Sequence, residues 1–438
     1  MRHADQARRH ALAGVERPRN DETVRRGGRT RCGGIWAGSF EPGGEGAQAM
    51  QFVILYHSAL ARRVSDNLSN GLLWRERRIG SVSSIQVQAT PRLGGDLRVR
   101  PSVPEDAEAI VDLMRHARLD PHVQPEHLHW KYWRERSDVP GPRSIVLTDG
   151  RALLAHAALI PGTLRWGATE ARVIHMIDWA ARREAAGAGV RLMMHVGRQT
   201  DFLLAIGGSK DTLTIMPRMG YKLCGTVTGH VRTIAPLGIL KRPSPSAWKV
   251  LPRIARSFYW TLTAPGGDWG RWEVRRIGYD EVDRLSPVLP SPRPGMAIFG
   301  RTTERLRHAL SCPIVPMELY ALEKAGEIGG YFLLSYAPGQ ARLADCWMRS
   351  EDPADWRAMI HAAVDRARRR GGSAEITVWS SDPKLGQVLG ESGFHARQNL
   401  PIYLKASGRE PLPGDTLRVQ MLEDDAFYFY TGGNALWA

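Results

Sequence analysis

The residues best suited to chemistry in this sequence lie at a predicted strand-to-helix junction, Gly187-Ala188-Gly189. Glycines at such a junction let the backbone approach a ligand closely, and the amides and dipole of a helix start favour an anion such as a pyrophosphate. Glycines also occur at helix starts without any ligand, so this motif alone leaves both interpretations open. A dinucleotide-binding loop is excluded, because the third glycine is missing and the preceding strand is not the first.

Two polar residues on the strand before this loop have the chemistry to move a proton. His175 and Asp178 interrupt an otherwise apolar strand predicted over residues 172–179. Either side chain could accept a proton from an amine, directly or through water. The structural alternatives are a hydrogen-bonded strand histidine for His175 and a turn or helix-capping carboxylate for Asp178.

The elements that must position these residues follow the order β-α-β-β-β-α-β-α-β. Apolar periods mark the strands and helices, and Asp149-Gly150 predicts a hairpin turn. Ser102 and Glu105 have the spacing of a capping box at the start of the first helix. This order indicates a mixed sheet with helices packed against it. The predicted strands cover 97–100, 144–148, 152–160, 172–179, 202–206 and 221–233, and the helices 104–114, 187–198 and 211–219.

A second unit repeats this order further along the chain. A Pro-rich linker over residues 236–268 is followed by a strand pair, a strand, a long helix, a strand, a short helix and a closing strand within residues 269–406. Two halves of like order predict an internal duplication. The tail, residues 407–438, carries an acidic and aromatic run over 423–430 that we expect to pack as an edge strand or over an acceptor cleft.

The segment over residues 171–225 resembles the core of the GNAT acyltransferase superfamily. Glu184-x-x-Gly187-x-Gly189 matches the glycines of its cofactor loop, and Met219-Gly220-Tyr221 resembles its closing Leu-Gly-Phe. The resemblance covers residues 97–235. It implies an α/β chain of two tandem acyl-CoA N-acyltransferase folds, each with a mixed central sheet flanked by helices.

The resemblance also implies a cofactor site. In relatives the loop holds the pyrophosphate of acetyl-CoA or another acyl-CoA, and the pantetheine lies in a splay between the fourth and fifth strands. Glu184 stands where relatives have Arg or Gln, and Met216 aligns with the Tyr that many use to protonate the leaving thiolate. The implied cofactor-binding residues are Trp179, Ala180, Glu184, Gly187, Ala188, Gly189, Val190 and Ser209, with Asp178 and His175 as catalytic candidates.

The second copy departs further from the family pattern. Residues 349–353 replace the glycine loop, and the acids Glu351 and Asp352 at that helix start would repel phosphates. Gly393-Phe394 still fits the closing motif. We expect a degenerate half that is structural or binds the acceptor. Asp345 on its central strand is either an amine-binding group or a salt-bridged carboxylate.

Composition and charge limit the kinds of partner and compartment that we expect for this protein. The net charge of +15 comes with 52 Arg against 8 Lys, a habit of GC-rich genomes, and no basic stripe is interleaved with aromatic residues. We therefore expect no nucleic-acid partner. Apolar runs stay shorter than the roughly 18 residues of a membrane helix, and four scattered cysteines form neither a disulfide framework nor a metal site. Residues 1–90 lack periodicity, so we expect them to be disordered or upstream of the true start codon, and the protein to be cytoplasmic.

Three hypotheses follow. The leading one is transfer of an acyl group from acyl-CoA to a primary amine of a small molecule or cell-envelope precursor, with acetyl as the leading candidate for that group. The second is a peptidyl transferase similar to the FemABX enzymes, which use aminoacyl-tRNA. The third is a catalytically inactive tandem fold that acts by binding, which Glu184 and Met216 favour and the retained Gly187 and Gly189 oppose.

Overall fold

The computed structural model describes residues 97–139, 141–208, 210–241, 250–407 and 416–431. The predicted N-terminal extension lies outside the described residues, and so does Ser209. Within the described ranges, no helix combines the length and the apolar character needed to cross a membrane.

The described strands form a single mixed sheet of fourteen members. Its main path runs β1-β2-β3-β4-β5-β13-β6-β12-β11-β10-β9-β7, and β8 and β14 attach beside β3. The strands are β1 Arg98–Pro101, β2 Ser144–Thr148, β3 Leu153–Trp166, β4 Thr169–Ala181, β5 Phe202–Ile206, β6 Lys222–Thr233, β7 Glu273–Ile277, β8 Met296–Phe299, β9 Met317–Lys324, β10 Glu327–Ala337, β11 Gln340–Met348, β12 Glu375–Ser380, β13 His395–Ala406 and β14 Thr416–Arg418.

Helices cover both faces of this sheet, as the predicted α/β architecture requires. They are α1 Ala107–His116, α2 Pro125–Leu128, α3 Ala188–Gly197, α4 Lys210–Ile215, α5 Val250–Thr263, α6 Thr303–Leu310, α7 Pro353–Arg370 and α8 Pro383–Glu391. A π-helical turn over His129–Trp133 follows α2 directly.

Local chemistry explains why the first hairpin forms where it does. The Asp149 carboxylate accepts hydrogen bonds from the amides of Arg151 and Ala152, both at 2.9 Å. Gly150 supplies the left-handed conformation that the turn needs, with a φ of +85°. The hairpin prediction is confirmed. The capping box is displaced by one residue: Asp106 accepts from the Val103 amide, while Ser102 Oγ donates to Ser144 Oγ at 2.6 Å.

The two halves exchange their closing strands. β13, the last long strand of the second half, lies between β5 and β6 of the first half. β6 in turn pairs with β12 of the second half from Thr228 to Thr233. Each half therefore completes the other, and the sheet runs without interruption across the predicted boundaries at residues 235 and 269.

The order of elements in the second half repeats that of the first. β9-β10-β11-α7-β12-α8-β13 corresponds to β2-β3-β4-α3-β5-α4-β6, with a parallel pair at the same place in each. This repeat is consistent with an internal duplication, which stays a prediction. The predicted linker contains α5, which the Pro-rich composition did not indicate. Its Ile254 and Trp260 pack on Val231 of β6.

The tail belongs to the main core. Leu417, Val419, Met421 and Leu422 are all at most 2% exposed within the largest hydrophobic cluster. β14 pairs in parallel with β8. The tail thus packs as an edge strand at its start, and its acidic and aromatic continuation runs on toward β4.

Candidate functional site

A splay opens between β4 and β5. The two strands pair in parallel at only three positions, from Val173 opposite Phe202 to His175 opposite Leu204. β4 then continues to Ala181 with β3 as its neighbour, while β5 turns away with β13. In the described part of the chain, the β5-side edge of β4 beyond His175 is therefore open. Free backbone amides at such an edge can donate to a ligand.

Asp178 forms a β-bulge on this open edge. Ile177 pairs with Ala158 and Ala180 with His156, so two residues of β4 oppose one of β3. Asp178 has a φ of +49°, a left-handed conformation that is strained for most residues and more accessible to Asp and Asn. The buried His156 fixes it, because its Nδ1 lies 3.2 Å from the Asp178 carbonyl oxygen. The sequence alternatives of a turn or helix cap for Asp178 are wrong.

The Asp178 carboxylate is held by the π-helical turn. Lys131 Nζ lies 2.5 Å from Asp178 Oδ2, and Tyr132 Oη donates to the same oxygen at 2.7 Å. Burial alone would raise the pKa of Asp178, but the Lys131 ammonium and these two hydrogen bonds lower it overall. Asp178 is therefore ionised and held through Oδ2, which suits it to positioning more than to accepting a proton.

His175 marks the vertex of the splay, since it belongs to the last parallel pair. Its Nδ1 lies 3.1 Å from the carbonyl oxygen of Glu423. A carbonyl can only accept, so Nδ1 carries the hydrogen and Nε2 is left as an acceptor. Burial lowers the pKa of His175, so the ring is neutral near pH 7. Nε2 can therefore take up a proton.

The tail brings two further carboxyl groups to this place. Asp424 Oδ2 lies 3.7 Å from His175 Nδ1, and Asp425 Oδ2 lies 3.9 Å from Lys131 Nζ. Burial and the adjacent Asp424 raise the pKa of Asp425 well above its usual range. The tail thus lies beside His175 and Lys131, and that it covers an acceptor cleft stays a prediction.

Gly187 and Gly189 differ in what favours a glycine at each position: backbone conformation at Gly187 and close packing at Gly189. Gly187 precedes α3 with a φ of +84°, and a Cβ built there would meet nothing within 4 Å. A Cβ on Gly189 would lie 3.2 Å from Trp179 Nε1, which donates to the Gly189 carbonyl oxygen at 3.1 Å. Gly189 therefore packs closely against Trp179, and a larger residue there would push the indole ring away by a few tenths of an ångström. The Ala188 amide donates to the Ala185 carbonyl oxygen at 3.0 Å, while those of Gly189 and Val190 lack intrahelical acceptors, as at the start of any α-helix.

The other predicted cofactor residues differ in what they can offer. Glu184 is exposed and lies 3.6 Å from His116 at the end of α1. Ala180 and Ala188 are buried, so they could contact a cofactor through their backbone. Val190 lies half-buried in the first turn of α3. Met216 is buried in the core under α3, so no acid replaces the tyrosine of the family pattern.

The corresponding opening in the second half is filled. β11 and β12 pair in parallel from Gln340 to Leu343, and β11 runs on to Met348. There Gln420 accepts from the Cys346 amide at 2.8 Å, and Arg418 donates to the Cys346 carbonyl oxygen at 2.7 Å. The tail thus covers the edge of β11. The equivalent edge of β4 in the first half is open.

The acids of the second half are engaged within the fold. Asp352 caps α7 by accepting from the Ala354 amide at 2.9 Å. Asp345 is completely buried and receives two hydrogen bonds from Arg301, at 2.9 and 3.0 Å, and one from Tyr331 at 2.7 Å. Asp345 is therefore the salt-bridged carboxylate of the two alternatives.

Sequence reasoning missed Lys131, His156 and Asp425 as members of this cluster. One signal was available for Lys131: it is the only lysine before residue 210 in a chain that otherwise uses arginine. Its neighbours Trp130 and Tyr132 are 4% and 3% exposed and belong to the core.

Comparison with known proteins supports the fold. No protein-family model and no curated protein matches the sequence. Among solved structures, N-myristoyltransferase from Saccharomyces cerevisiae with bound myristoyl-CoA is similar at a TM-score of 0.50 and 14% identity, over 77% of this chain and 85% of that one. A GCN5-related N-acetyltransferase from Anabaena variabilis is similar at 0.47 and 10%, over 72% and 73%. One from Kribbella flavida is similar at 0.46 and 14%, over 71% of each chain.

The likeness to the yeast enzyme shows that the chain has the mixed α/β fold seen in N-acyltransferases. The predicted fold class, a mixed central sheet flanked by helices in the arrangement of acyl-CoA N-acyltransferases, is confirmed. That the second half is a degenerate copy stays a prediction.

Proposed function

We propose that this chain is an acyl-CoA-dependent N-acyltransferase that moves an acyl group to the primary amine of a small molecule or cell-envelope precursor. Acetyl is the leading candidate for the acyl group. The observation that carries the proposal is the open edge of β4. It begins at His175, bulges at Asp178 and leads directly into the loop that ends at Gly187. A single continuous edge would thus offer amides to both a thioester and a pyrophosphate.

The donor would be held by the backbone. The first-turn amides of α3 and the positive end of its dipole suit the pyrophosphate, and the Gly187 conformation leaves the approach clear. The exposed Arg183 and Arg191 flank this loop and offset Glu184. Amides of β4 in the splay would donate to the thioester carbonyl oxygen and stabilise the negative charge that develops there during attack.

The reaction would be completed by His175. The free amine nitrogen attacks the thioester carbonyl carbon, the C–S bond breaks, and the proton that this nitrogen loses passes to His175 Nε2, which returns it to solvent. The coenzyme A thiolate would take its proton from water, because Met216 offers none. Asp178 and Lys131 would fix the bulge and the local charge rather than exchange protons.

In the second half, we propose that no acyl-CoA binds. The tail fills the edge of β11 through Gln420 and Arg418, and Asp352 already occupies the start of α7. The second half would then complete the sheet and form the side of the site where the amine acceptor binds.

The test is calorimetric titration of the full chain with acetyl-CoA, longer acyl-CoAs including myristoyl-CoA, and desulfo-CoA. Gly187→Glu places a carboxylate at the proposed pyrophosphate position. Gly150→Glu is the matched control, because Gly150 has nearly the same φ, +85°, and equally open surroundings in a distant turn. We expect saturable binding by wild type and Gly150→Glu and loss of it in Gly187→Glu. Folded protein that binds none of these compounds would overturn the proposal.

A further inference from the structure

A small cavity beside Lys131 and Ile177 has an unusual charge balance. It encloses about 50 Å³ and draws its lining from the π-helical turn, β3, β4, α6 and the tail. Four cations line it, namely Lys131, Arg136, Arg143 and Arg305, and no acidic side chain does. We call it the arginine cavity.

Two of the four cations are neutralised by partners. Lys131 pairs with Asp178, and Arg136 makes two hydrogen bonds with Asp138, at 3.0 and 2.8 Å. Arg143 and Arg305 are different. Arg143 donates to the carbonyl oxygens of Trp130 and Arg134, and Arg305 to that of Leu422.

Arg143 and Arg305 are 7% and 6% exposed, and neither has a carboxylate partner within the described ranges. Burial, with the positive charge of Arg136, lowers the pKa of Arg143 to about 10. Burial, together with the positive charge of Arg301, lowers the pKa of Arg305 to about 10 as well. Two buried guanidinium groups with no carboxylate in direct contact favour an anion bound beside them.

His308 adds an unpaired donor to the same wall. Its Nε2 lies 2.9 Å from Arg143 Nη1, and since a guanidinium only donates, Nε2 is the acceptor. Burial and Arg143 lower the pKa of His308, so the ring is neutral and its hydrogen is on Nδ1. That Nδ1 is fully buried and has no hydrogen-bond partner in the described part of the chain. A buried N–H without an acceptor indicates a missing group.

We propose that the arginine cavity binds a carboxylate of the amine acceptor. The volume holds about three or four water-sized groups, which suits a carboxylate and its neighbouring carbon. Guanidinium forks match the planar carboxylate geometry, and about 50 Å³ is too small for a long acyl chain. The cavity adjoins Asp178 through Lys131 and Ile177, so the acceptor would be an amino acid or a similar amino-carboxylate.

The site itself can be tested without any acyl donor. Trp130 donates from Nε1 to the His308 carbonyl oxygen at 2.8 Å, and the two rings stack at 4.5 Å, so the Trp130 indole signal reports on the cavity. Acetate is titrated against acetamide, its neutral counterpart of the same size, at constant ionic strength. The indole signal is followed by NMR and assigned with Trp130→Phe.

We expect a saturable shift with acetate alone. It should be lost in Arg305→Met, weakened in Arg305→Lys and retained in Arg284→Met, a half-exposed arginine paired with Glu281. Equal shifts with acetate and acetamide, or no shift in folded wild-type protein, would overturn the site. That comparison needs no variant, so it stands even if Arg305→Met fails to fold.

The identity of the acceptor rests on the proposed function and has its own assay. With the acyl-CoA that binds best, amino acids are compared with their amides. Each carboxylate acceptor should have a KM about 10- to 100-fold below that of its amide, a preference that Arg305→Met removes. Acetate binding without acyl-CoA binding would retain the site and refute the transferase. Acylation of amides and acids at equal KM would refute the carboxylate role alone.

Discussion

Replacing Lys131 by Met tests the electrostatics of the bulge. Lys131 Nζ and Asp178 Oδ2 are 2.5 Å apart, and both side chains are 8% exposed. Met keeps most of the apolar stem and removes the charge, so the Asp178 carboxylate is left buried with Tyr132 as its remaining side-chain donor. Breaking a buried ion pair in this way costs about 3–5 kcal/mol.

The size of this loss should depend on pH. In the wild type the folded-state pKa of Asp178 is lowered, so the pair contributes stability above the unfolded pKa of about 3.9 and loses it as pH falls through the folded pKa. Without Lys131, burial raises the folded-state pKa instead, and the variant is destabilised as pH rises from the unfolded pKa through the folded one. The difference between the two proteins should therefore be larger at pH 8 than at pH 5.

Urea unfolding at pH 5 and pH 8 measures this difference. The comparison includes Asp178→Asn and the double variant, because Asn tolerates the φ of +49° and removes the uncompensated charge. We expect the double variant to be more stable than Lys131→Met at pH 8. An equal loss at both pH values, together with no recovery in the double variant, would refute an energetically coupled pair.

Three further predictions follow from the same contacts. His175→Gln should lower kcat about 10²- to 10⁴-fold while calorimetry shows unchanged acyl-CoA binding; a loss of binding instead would indicate a structural role. The wild-type rate should fall as pH drops through the His175 pKa, which burial places below the usual 6.5. A rate that already falls by half between pH 7.5 and pH 6.5 would contradict this. Arg301→Met should destabilise the fold by about 3–5 kcal/mol in urea unfolding, because Asp345 loses its partner, yet leave the affinity of the remaining folded protein for acyl-CoA unchanged.

Local patterns predicted the elements around the site well. The Asp149-Gly150 turn, the strand carrying His175 and the glycine start of α3 each depend on residues close in sequence. The displaced capping box shows the limit of such patterns, because Ser102 finds a better partner in Ser144, 42 residues away.

Long-range pairing accounts for what could not be predicted. The exchange of β6 and β13 joins residues more than 140 positions apart, and no local period records it. The same holds for the tail: Glu423 reaches His175 across 248 positions, and Gln420 closes the edge of β11. Trp130 and His308, 178 positions apart, meet only because the two halves share one core.

The central claim is that acyl-CoA lies along the open edge of β4, and hydrogen–deuterium exchange tests it most directly. With saturating desulfo-CoA, we expect slower exchange at amides of residues 176–181 and 187–191, and unchanged exchange at residues 344–348 of β11, where the tail already occupies the edge. Protection confined to the second half, or binding without protection at 176–181, would contradict the account.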